Sequence, residues 1–64
     1  MLKLVMEFTF EDEIGAQHSM RLFFVGANFH EAYEDAMNFI TETCKDNDWC
    51  LFKFEIVDVM DTHN

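Results

Sequence analysis

Residues 28–45 read NFHEAYEDAMNFITETCK, and this stretch decides the fold. Apolar side chains fall at Phe29, Ala32, Tyr33, Ala36, Met37, Ile40 and Cys44. Steps of three and four residues place them along one side of an α-helix, so the spacing predicts a helix with one buried stripe. Asn28 is a preferred N-cap residue, and Glu31 stands three positions on, where its carboxylate can reach back to the cap N–H. The opposite side carries Glu31, Glu34, Asp35, Asn38 and Glu42, a wet and negative face.

A helix with one apolar stripe needs a surface to bury it, and the flanking sequence supplies strands. Residues 2–11, LKLVMEFTFE, alternate: Leu2, Leu4, Met6, Phe8 and Phe10 point one way, and Lys3, Val5, Glu7, Thr9 and Glu11 the other. Period two is the mark of a half-buried strand. Residues 11–17, EDEIGAQ, break the alternation around Gly15 and read as a hairpin loop. Residues 19–27 form a second strand, with Met20, Leu22 and Phe24 on the buried side. Residues 46–48, Asp-Asn-Asp, read as a polar turn, residues 49–60 as a long third strand, and residues 61–64 as a tail. In the third strand Cys50, Phe52, Phe54 and Ile56 alternate with Leu51, Lys53 and Glu55. The phase then slips at Val57 and Val59, which predicts either a bulge near Ile56 and Val57 or a strand that twists off the helix.

The element order is β-β-α-β. The expected fold class is α+β: a three-stranded sheet in spatial order 2-1-3 with one helix packed on one face. The first two strands form an antiparallel hairpin, and a right-handed crossover returns the third parallel to the second, beside the first. The face under the helix is expected to bury Leu4, Met6, Phe8, Leu22, Phe24, Phe52, Phe54 and Ile56.

At 64 residues the chain is one domain, residues 1–64. A domain this short buries only about 60% of its unfolded surface, so its stability margin is thin. Half the residues are apolar, and eight Phe, one Tyr and one Trp give it material for a small core. Thirteen carboxylates face four cations, for a formal charge of −9. So little positive charge disfavours direct binding to nucleic acid or to an anionic membrane, and favours a basic protein surface as partner. No apolar run is long enough to span a bilayer. The N-terminus opens directly on strand alternation rather than on a signal peptide, which points to the cytoplasm.

A single helix covers one face of such a sheet. The other face carries Val5, Phe23, Val25 and Leu51 among Lys3, Glu7, Thr9, Arg21, Lys53 and Glu55. That is more apolar material than an idle surface needs, and it marks this face, or the outer edge of the second strand, as a candidate docking surface for a partner or a second copy of the chain.

Motifs for chemistry are missing. His18, His30 and His63 lack metal-ligand spacing, and the helix dipole speaks against an ion pair at His30. Cys44 and Cys50 are six apart, without CxxC spacing, and sit at apolar positions as reduced core thiols; a bridge between them needs favourable spacing. The sequence holds no glycine-rich phosphate loop and no nucleophile elbow. The expectation is a non-enzymatic protein without a cofactor.

Residues 18–36, HSMRLFFVGANFHEAYEDA, run from a strand through a small residue and a cap into an E-A-x-E-x-A helix. This segment resembles the small inhibitors of bacterial RNA polymerase from T7-group phages, and similar helices occur in the N-terminal domain of HicB antitoxins. The first resemblance covers about a third of the chain. It implies the same β-β-α-β order and binding of the acidic helix to a basic, DNA-handling surface of a host polymerase, in the host cytoplasm. Glu31 and Glu34 carry over as interface residues, whereas Asp35 stands where the family has an apolar residue. The third strand also departs: Lys53, Glu55 and Asp58 stand where the family bears arginines. The expected function is therefore an inhibitor or regulator of a nucleic-acid-processing enzyme. Glu31, Glu34, Asp35 and Glu42 would steer association, joined by Glu11, Asp12 and Glu13 at the hairpin tip. The alternative is an assembly protein forming homo-oligomers through the open sheet face.

Overall fold

The alternating run at the N-terminus becomes strand β1 (Leu2–Glu11), and the computed structural model, which describes residues 1–61, places it at the centre of everything else. β2 (Gln17–Gly26) pairs antiparallel on one side and β3 (Cys50–Asp61) antiparallel on the other, giving the order β2-β1-β3. β3 therefore runs parallel to β2 without touching it. The helix α1 spans Phe29–Asn47. The α+β class and strand order match the sequence reading. Asp61 closes β3 rather than opening a tail, and residues 62–64, with His63, lie outside the described residues. No helix among the described residues is long and apolar enough to cross a membrane.

The core is small and built on β1. Leu4, Met6, Phe8 and Phe10 are fully buried against Ala32, Ala36 and Ile40 of α1. Asn28 caps the helix as its chemistry predicts: its side chain accepts a hydrogen bond from the Glu31 N–H at 2.9 Å. The reciprocal bond from the Asn28 N–H to the Glu31 carboxylate is not made among the described residues. The helix ends later than its sequence suggests. Asp46 and Asn47 belong to its last turn, and Asp48 (φ 56°) is the left-handed cap residue, whose shape lets Trp49 N–H reach the Cys44 carbonyl at 3.1 Å.

The helix does not lie over the middle of the sheet, because every anchor pulls it toward β1 and β2. Gly26, at the end of β2, has no side chain, and the first turn of α1 fills the space: an added Cβ would lie 2.7 Å from the Ala32 backbone nitrogen. Ala32 and Ala36 allow the same close approach. Phe39 wedges between Phe8 of β1 and Phe24 of β2, with ring centroids 5.6 and 5.9 Å away. At the far end Trp49 lies over Phe10 at 5.8 Å. Phe39 stands outside the stripe expected from the sequence, and Phe29, placed inside it, is exposed and stacks on Tyr33.

β3 is left bare as a result. Phe54 and Ile56 oppose Phe8 and Met6 on the helix side, yet stay 38% and 43% exposed because α1 does not reach over them. Their expected burial, and that of Phe52 at 56% exposed, is corrected by this offset. Two register shifts shape the strand. Val57 is the extra residue between Ile56 and Asp58, where the bulge was expected, and Phe52 is a second one between Leu51 and Lys53. The second bulge reverses the phase upstream of it.

Candidate interaction surfaces

The phase reversal at Phe52 decides the fate of the open face. Leu51 opposes buried Phe10 and packs against the core, so it belongs to the helix side and leaves the candidate docking set. Val5, Phe23 and Val25 remain on the open face, but that face meets its own needs. The Lys3 ammonium sits 4.4 Å from the centre of the Phe23 ring, and the Arg21 guanidinium bonds the Glu7 carboxylate at 3.0 Å. Thr9 and Ser19 share a hydroxyl–hydroxyl bond at 3.1 Å. These are directly opposed or diagonal pairs across β1 and β2, the usual stabilising units of a sheet face, and Thr9 is buried within them rather than open to solvent.

The acidic residues divide by what surrounds them. Glu31, Glu34, Asp35 and Glu42 are exposed on the outer helix surface, as the periodicity predicts. Glu34 has one neighbour: the His30 ring lies 3.4 Å away, one turn earlier, a contact the sequence reading did not expect. No cation lies within ion-pair distance of Glu31, Asp35 or Glu42 among the described residues. Glu13 is likewise exposed at the hairpin tip, and Glu11 is half-buried.

Asp12 is different. One of its oxygens accepts bonds from the Ile14 and Ala16 N–H groups at 3.0 and 2.9 Å, and the other lies 2.9 Å from His18 Nε2. A carboxylate only accepts, so the His18 Nε2 carries the proton in this bond. Gly15, at φ +84°, supplies the left-handed residue that closes the loop around this carboxylate. Asp12 is therefore committed to its own turn, although its negative charge remains at the tip. The arrangement extends further: the His18 ring stacks on Trp49, 4.3 Å between centroids and 8° from parallel. The loop, β2 and the α1–β3 connection are thus joined at one end of the molecule. Sequence reasoning missed this tie because its three members lie in separate segments.

The His18 bond holds the Asp12 carboxyl below its ordinary value against the opposing cost of burial, with the Ala16 and Ile14 N–H groups helping to a lesser degree. A lowered folded-state value means the bond stabilises the fold above the unfolded carboxyl's 3.8 and is lost as pH falls through the folded value. Urea midpoints at pH 6 and pH 3 are expected to fall further for the natural chain than for Asp12→Asn. Equal losses would mean the loop carboxylate contributes nothing.

Cys44 is half-buried against the core, but Cys50 is exposed at the start of β3, opposite Glu11, and not a core thiol. Both are free. No group of three or more His, Cys, Asp or Glu side chains able to hold a metal ion occurs among the described residues. Comparison with protein-family models, curated proteins and solved structures returns no match to the chain.

Proposed function

We propose that this chain is a non-enzymatic, acidic interaction protein that binds a basic surface on a partner protein, acting as an inhibitor or regulator of a nucleic-acid-processing enzyme in the cytoplasm. The observation that carries the reading is the unneutralised outer side of α1. Among the described residues no cation lies within ion-pair distance of Glu31, Asp35 or Glu42, although Lys45 shares their outer face, and Glu34 meets His30 alone. With a formal charge of −9, the molecule presents a negative field that steers it toward a basic patch. The resemblance of residues 18–36 to phage inhibitors of bacterial RNA polymerase names the enzyme to try first.

The test is surface plasmon resonance against purified bacterial RNA polymerase at low and high salt. Binding is expected, with a double Glu34→Lys/Glu42→Lys variant losing on the order of tenfold in on-rate at low salt and little at high salt. Failure to bind at either salt sinks the polymerase assignment. Unchanged on-rates in the variant sink the helix as the steering surface.

A further inference from the structure

β3 has no fully buried residue anywhere along its twelve positions, although Leu51, Phe52, Phe54, Ile56, Val57, Val59 and Met60 are all apolar. Among the described residues no strand lies along its outer edge. An unpaired edge is a template for strand addition; natural proteins blunt such edges with charges, prolines and bulges, and the charges and two bulges of β3 leave 53–56 as a short, regular, half-apolar stretch of open edge. β2 is also an edge, but Met20, Leu22 and Phe24 on its apolar side lie packed against the core. β3 keeps Phe54, Ile56 and Val59 open beside the flank of the helix that carries Tyr33 and Met37, the side turned away from Phe39.

The charges on β3 select what pairs with it. Between the two bulges, 53–56 is the regular part of the strand, in register with Thr9, Phe8, Glu7 and Met6. Its first three residues, Lys53-Phe54-Glu55, are self-complementary when one copy is turned end for end. Antiparallel pairing about a two-fold axis through Phe54 sets Phe54 against Phe54, each Lys53 against the other copy's Glu55, and each Phe52 against the other copy's Ile56. Both charges are exposed to solvent and open to such a partner. Among the described residues neither Lys53 nor Glu55 has an ion pair, and Glu55 stands opposite Glu7, whose carboxylate Arg21 already holds. Within one chain Glu55 therefore faces a like charge and no cation.

We propose that β3 is a homodimer interface, joining two copies into one six-stranded sheet in the order β2-β1-β3-β3-β1-β2, with both helices on the same face. Stacking a second copy's helix over Phe54 is disfavoured, because its outer side would bring Glu34 and Glu42 into apolar surroundings. A basic peptide added to the same edge would satisfy Glu55 but leave Lys53 against a like charge. The pairing surface is short, so the dimer belongs to the weak size class and dissociates on dilution.

Sedimentation equilibrium of the full chain from about 10 μM to about 1 mM, in about 0.3 M salt to screen the repulsion between copies, tests this directly. The natural chain is expected to follow a monomer–dimer equilibrium. Phe54→Lys, and Lys53→Glu or Glu55→Lys alone, each put like charges across the axis or beside it and are expected to weaken the dimer about tenfold or more. All three positions are exposed, and circular dichroism reports whether each variant keeps its fold. The combined Lys53→Glu/Glu55→Lys exchange restores both pairs and is expected to return the dimer to within about threefold of the natural chain. A monomer throughout the range overturns the proposal. So does a dimer that survives Phe54→Lys, or a double exchange that fails to restore what the single exchanges lose.

Discussion

Phe8→Ala is expected to lower the melting temperature of this protein by at least about 12 °C, up to complete loss of the cooperative transition. Phe8 is fully buried on the central strand and meets the rings of Phe10, Phe24 and Phe39. Removing a buried Phe ring costs about 3–5 kcal/mol, from lost transfer energy and the cavity left behind. A domain of this size holds about 3–10 kcal/mol in total, so the substitution removes a third of the margin at the least and all of it at the most. At about 4–8 °C per kcal/mol, a surviving fold would melt at least 12 °C lower. A shift of only a few degrees by circular dichroism would show that Phe8 is not at the centre of the core. Phe54 provides the internal comparison. It faces Phe8 across one strand pair and points to the same side of the sheet, but lies beyond the reach of α1. Phe54→Ala in dilute solution is expected to cost about 1 kcal/mol or less, as exposed substitutions do.

Gly26→Ala is expected to be the second most damaging change, against the ordinary trend. In an open strand, alanine is preferred over glycine by about 0.5–1 kcal/mol because it has less freedom to lose. Gly26 has no positive φ that would demand glycine. Its constraint is space: the new Cβ would stand 2.7 Å from the Ala32 nitrogen and 3.2 Å from the Asn28 carbonyl oxygen. Those are backbone atoms of the helix start and its cap, so the helix must lift. Overpacking of this kind costs about 1–3 kcal/mol. Urea denaturation is the measurement, and a neutral or stabilising Gly26→Ala would mean that α1 does not descend onto β2 at that point.

The parts of this fold that were legible in the sequence are those governed by local periodicity. The period-two alternation of residues 2–11 gave β1 to the residue, and Asn28 marked the helix start because a cap is a contact between neighbours. Strand order followed from an element pattern with few acceptable arrangements. What was hidden depends on long-range geometry. The bulge at Phe52 carries no glycine or other local mark, since it exists only relative to β1, and it moved Leu51 from the open face to the core. The offset of α1 rests on Gly26, two alanines and Phe39 acting together. Without it, Phe54 and Ile56 read as core residues, and β3 as an ordinary covered strand. On the acidic side, Glu31, Glu34, Asp35 and Glu42 emerged where helical spacing put them, whereas Asp12 was legible as a carboxylate but not as the hub of its own loop.

The side-chain nuclear Overhauser spectrum of the dilute monomer tests most directly whether the helix leaves β3 uncovered. Cross-peaks from the Phe39 ring to both Phe8 and Phe24 are expected, and they should be stronger than any between α1 and the side chains of Phe54 or Ile56. Strong cross-peaks from Phe54 or Ile56 to the helix, with Phe39 silent toward Phe24, would place α1 over the wrong pair of strands and remove the exposed surface on which β3 pairing depends.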